Sequence, residues 1–61
     1  MLAEFKKSVS LIIEKCPQHK EDIQASYQLA LDEIEEGGSI SHEIGICLSD
    51  IDQIINSIYL L

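Results

Sequence analysis

The chain has 61 residues, 46% of them hydrophobic, with four lysines, no arginine and eleven acids for a net charge of −7. That length holds one domain, and so small a domain is marginal unless disulfides, a metal, oligomerisation or very regular helix packing supports it. The apolar content argues against a disordered segment, and the scarcity of cations argues against direct binding of nucleic acid or of an anionic membrane surface.

A first helix is expected over residues 2–15. Leu2, Phe5, Val9, Ile12, Ile13 and Cys16 recur at steps of three and four and form one apolar face. Lys6, Lys7, Ser10, Glu14 and Lys15 lie mainly off it. Pro17 interrupts, because it has no backbone N–H and biases Cys16 away from helical angles. A second helix is expected over 18–36, opened by Glu21 and Asp22 near its positive end. Its apolar face is Ile23, Tyr27, Ala30, Leu31 and Ile34, interrupted by Ser26 and extended sideways by Ala25 and Leu29. Gly37-Gly38 closes it, since glycine adopts the left-handed conformation without a side-chain penalty. Asp32, Glu33, Glu35 and Glu36 crowd its last turns, at the pole where a helix prefers cations.

The third helix is expected over 41–60. Ser39 or Ser41 suits its cap and Glu43 its first turn. Ile44, Ile51 and Ile58 repeat every seven residues; Cys47, Leu48, Ile54, Ile55 and Leu61 fill the positions between them. This is a heptad-like seam widened by a second column, and it runs on through Tyr59-Leu60-Leu61 without a polar stop. Gly45 in its first turns either permits close backbone approach or lowers helix propensity. Short connections give antiparallel neighbours. The expected fold class is therefore all-α: one helical domain over 1–61, a small antiparallel three-helix bundle or a kinked helical hairpin that dimerises, with the third helix central.

Charge is segregated along the chain. Residues 1–20 hold Lys6, Lys7, Lys15 and Lys20 against Glu4 and Glu14, a net +2, whereas the nine acids from Glu21 onward meet no lysine or arginine, a net −9. Such a surface suits a basic protein partner and speeds the encounter with it, or simply keeps a greasy small protein in solution.

Chemistry-bearing residues are few. Cys16 with His19 and His42 with Cys47 have zinc-ligand types at tolerable local spacing. The two pairs nevertheless fall at opposite ends of the second helix, roughly 27 Å apart at 1.5 Å per residue. The same separation opposes a Cys16–Cys47 disulfide, whose Cα atoms must lie within about 7 Å. Cys47 is expected as a small core residue and His42 as an exposed polar one. Gly37-Gly38-Ser39 before a helix could hold an anion on its backbone N–H groups, but the acids upstream would repel it. Neither a catalytic nucleophile with a positioned base nor a cofactor motif is present, so no enzyme activity, metal or cofactor is expected. No uncharged apolar run has the length of a membrane span, and no secretory leader is evident; the default location is cytoplasmic, where both thiols stay reduced.

The expected function is that of a small acidic helical protein–protein interaction or regulatory module, self-associating through helix three, most simply as a homodimer. Ile44, Leu48, Ile51, Ile55, Ile58 and Leu61 are the candidates for self-association. Asp32, Glu33, Glu35, Glu36, Asp50 and Asp52 are the candidates for a basic partner. In size, acidity and lack of catalytic equipment the chain is similar to many bacterial and phage accessory proteins, including antitoxins, immunity proteins and inhibitors, although no motif carries that similarity. The alternatives are an acidic mimic of nucleic acid that occludes a basic groove, and a metal-binding module.

Overall fold

The structure is a computed structural model that describes residues 2–56. It is an all-α bundle of three helices: α1 (Leu2–Lys15), α2 (Lys20–Glu35) and α3 (Ile40–Asn56). A single 3-10 turn, Pro17–His19, joins α1 to α2.

Each boundary has a local cause. Cys16 leaves the helical region at φ −128°, ψ 61°, as the residue before a proline is inclined to do. Its N–H still donates to the Ile12 carbonyl at 2.8 Å, so α1 ends with its ladder complete up to the proline. Pro17 then takes the first position of the 3-10 turn, where a missing N–H costs nothing, and His19 N–H closes that turn on the Cys16 carbonyl at 3.0 Å. The α-helix proper therefore begins at Lys20 rather than at 18.

The exit from α2 is a Schellman turn. Gly37 stands at φ 106° and donates to the Ile34 carbonyl at 3.1 Å; Gly38 donates to the Glu33 carbonyl at 2.8 Å. The two glycines serve different needs. Gly37 supplies the positive φ, whereas a Cβ on Gly38 would lie 2.8 Å from the Glu33 carbonyl oxygen and 3.3 Å from Glu43 Cγ. Ser39 then accepts the first bond of α3, from Glu43 N–H at 2.9 Å, which makes Ser39 rather than Ser41 the N-cap residue and starts the helix at Ile40.

Six side chains form the buried core: Phe5 and Val9 from α1, Ile23 and Ala30 from α2, Cys47 and Ile51 from α3. Ile12, Ile13, Tyr27, Leu31, Ile44 and Ile55 pack around them. The Phe5 and Tyr27 rings meet tilted at 59° with centroids 5.0 Å apart, a favourable edge-biased geometry that pins α1 on α2. Among the described residues no polar or charged side chain is buried. The most extensive interface is between α2 and α3, and α2 packs against both neighbours. The central helix is thus α2, not α3 as the apolar density of the sequence suggested.

The glycines make a testable pair. Gly37→Ala places an L side chain at φ 106° and lowers stability by about 1–2 kcal/mol. Gly45→Ala, where a Cβ meets nothing within 4 Å, raises it by about 0.5–1 kcal/mol through helix propensity alone. Urea midpoints of the two variants move in opposite directions; equal shifts of the same sign are incompatible with this account.

Candidate interaction surface

The seam of α3 divides between two sides of the bundle. At 100° per residue, Ile44, Ile51 and Ile55 point to the core, Leu48 and Ser41 lie to one side, and Glu43, Ile46 and Asp50 to the other. α2 divides in the same way, with Tyr27 and Leu31 towards α1 and Ser26, Leu29 and Glu33 away from it. In an antiparallel pair these matching sides share a face. Glu4, Phe5 and Ser8 of α1 accordingly meet Ser41, Ile44 and Leu48 of α3 around one hollow. On the opposite side a cleft of about 200 Å³ runs between α2 and α3, lined by Ser26, Leu29, Ala30, Glu33, Glu43, Ile46, Cys47 and Asp50, with no residue of α1. It continues past Asp22, Ala25 and Gln53 towards His19.

The candidates for self-association separate accordingly. Ile51 is 2% exposed and belongs to the core of its own protomer, so it offers no surface for assembly. Ile44 and Ile55 are half-buried against that core, while Leu48 stays 38% exposed at the edge beside α1. Ile58 and Leu61 lie outside the described residues.

All six acids proposed for partner contact are exposed. They do not share one place. Glu33 and Asp50 line the same cleft, one from α2 and one from α3. Asp32 accepts from Gln28 Nε2 at 3.0 Å and Asp52 from Asn56 Nδ2 at 2.9 Å, each within its own helix. Asp32, Glu33, Glu35 and Glu36 follow the helical rotation around the end of α2, so they spread over its surface rather than forming a row.

Sequence reasoning missed two acids of the cleft, Asp22 and Glu43, and one of its two exposed apolar walls, Ile46. The signal was available in the spacing of Glu43, Ile46 or Cys47 and Asp50, a column of its own flanking the seam. Leu29, read as a sideways extension of the α2 face, is the other wall. The pair is 58% (Leu29) and 44% (Ile46) exposed.

Cys47 forms the floor. It is 1% exposed, and Ser26 Oγ donates to its sulfur at 3.6 Å across the α2–α3 interface. Burial pushes its thiol above the ordinary range, and the nearby Asp50 carboxylate adds to that; the Ser26 hydrogen bond opposes it. A thiol held protonated is a core group, not a nucleophile. Both cysteines are free thiols. Among the described residues no three His, Cys, Asp or Glu side chains come together as a metal site, and no helix is long and apolar enough to cross a membrane. No family model matches the chain, and neither a curated protein nor a solved structure does.

The thiol gives a pH dependence whose sign is determined. The unfolded chain releases the Cys47 proton near pH 8.5, whereas the folded chain holds it to higher pH. Stability from this group is complete below that value and is lost as pH rises through the folded pKa. The stability gap between wild type and Cys47→Ala, from urea unfolding, is therefore expected to narrow between about pH 7.5 and about pH 9.5. A gap that widens refutes the assigned direction.

Proposed function

We propose that this chain is a small, non-catalytic protein–protein interaction module that binds or regulates a partner with a basic surface. One observation carries the reading: the exposed apolar walls Leu29 and Ile46 stand beside the carboxylates of Glu33, Glu43 and Asp50, and no lysine lines the cleft. Apolar area left in water contributes nothing to the monomer, and covering these two side chains is worth on the order of 1 kcal/mol each. Acids around such a patch keep it from collapsing onto another equally acidic face and steer a basic partner to it. The spread of the α2 acids around the helix does not favour a phosphate-like row, so a protein surface is preferred to nucleic-acid mimicry.

Affinity capture from the source cells, followed by titration of the captured protein, tests this reading. A basic protein is expected, bound more weakly at about 300 mM than at about 50 mM salt and more weakly by the Glu33→Gln/Asp50→Asn double variant. Binding indifferent to both salt and the double variant overturns it.

Self-association is a second reading, and the exposure of Leu48 beside the α1–α3 hollow favours it. Leu48, not Ile55, is the position to change, because Ile55 also packs on the core and its loss confounds dissociation with unfolding. Light scattering at micromolar concentration is expected to report more than one protomer for wild type and a folded monomer for Leu48→Glu. A monomeric wild type sinks this second reading.

A further inference from the structure

We infer that the α2–α3 cleft is the seat of a lysine- or arginine-rich amphipathic helix of another protein, which lies along it and completes a four-helix bundle. The inference rests on the interaction-module reading and names the occupant.

Shape comes first. α1 occupies one side of the α2–α3 pair, and on the other side Leu29 and Ile46 stand as two exposed walls above a floor of Ala30 and Cys47. This is the groove into which a further helix of a bundle packs. The groove presents helix sides, whose backbone groups are already bonded within α2 and α3. An occupant must therefore satisfy its own N–H and C=O groups, which a helix does and an extended strand does not. A docked helix needs only a few apolar anchors at i, i+3 or i+4 and i+7, and two walls match that number.

Charge then selects the helix. Asp22 and Glu33 stand on the α2 wall, Glu43 and Asp50 on the α3 wall. From Asp22 to Glu33 the acids span about 16 Å along α2, three turns of an occupant. A helix bordered by carboxylates on both flanks is stabilised by cations at the positions beside its apolar stripe and opposed by acids there. The chain's own basic helix is a poor source. The inner face of α1 is spent on Phe5, Val9, Ile12 and Ile13, so what its lysines could carry into a second copy's cleft is chiefly the exposed Leu11.

The test uses the purified protein and three synthetic peptides of about 18 residues. The first has leucines at helical spacing flanked by lysines, the second replaces every lysine by glutamate, and the third scrambles the first. Fluorescence anisotropy is expected to show binding of the Leu/Lys peptide, at least about tenfold tighter than either control. Leu29→Asp and Ile46→Asp, both at exposed positions and checked for retained helicity, are each expected to weaken it about tenfold, and Leu11→Asp, at an exposed position of α1 away from the cleft, to leave it unchanged. Equal binding of the scrambled peptide means charge alone and overturns the inference. So does indifference to Ile46→Asp and Leu29→Asp, or an unliganded protein whose self-association is abolished by Ile46→Asp, which gives the cleft to a second copy. Salt-sensitive partner capture that survives such a result keeps the interaction module and discards only its helical occupant.

Discussion

The structure depends on the close antiparallel pairing of α2 with α3. That pairing is imposed by the Gly37-Gly38 turn, which reverses the chain within four residues of the last turn of α2 and returns its backbone N–H groups to the Glu33 and Ile34 carbonyls. Once the two helices are held side by side, Ile23, Ala30, Cys47 and Ile51 pack together between them. Phe5 and Val9 then cap the assembly. The buried core among the described residues is small, six side chains, so the turn's contribution is large in proportion. It reduces the loop-closure entropy of the one interface that carries most of the packing.

Much of this was legible in the sequence because the signals are local. Pro17 removes a donor and Gly37 takes a positive φ whatever the rest of the chain does, and the apolar spacing of each helix repeats without tertiary information. The less legible features depend on angles between helices. Ile51 and Leu48 are both seam residues by period, yet Ile51 is core and Leu48, about 60° round the wheel from it, is edge, because α1 borders that flank of α3 without covering it. Likewise Ile46 is 220° round the wheel from Ile51 and looks like a stray apolar residue until α2 brings Leu29 opposite it. Burial is a property of neighbours, and a single helix does not reveal on which side its neighbour sits.

The acids illustrate the same point. Read as a list, Asp32, Glu33, Glu35 and Glu36 are a cluster; wound on α2 they disperse, and only Glu33 reaches the cleft. Glu43, which the sequence offers as a residue suited to the start of α3, also faces that cleft. A carboxylate there interacts favourably with the positive end of its own helix, so the rim gains a charge without the cost that the acids ending α2 incur. Two roles thus coincide in one side chain, and the local role hid the other.

Segregation of charge also bears on why the two exposed walls are tolerable in solution. An uncharged apolar groove on so small a protein invites association with any greasy surface. Here two copies brought cleft to cleft place four carboxylates against four, and like charges at such an interface oppose docking. The repulsion is selective. It falls on acidic faces, including the chain's own α2–α3 half, and spares a cationic one. The net charge of −9 from residue 21 onward, the complete absence of lysine there and the confinement of all four lysines to the first twenty residues then have one physical reading: the α2–α3 face that leaves Leu29 and Ile46 uncovered is also the face that discriminates most strongly by sign of charge.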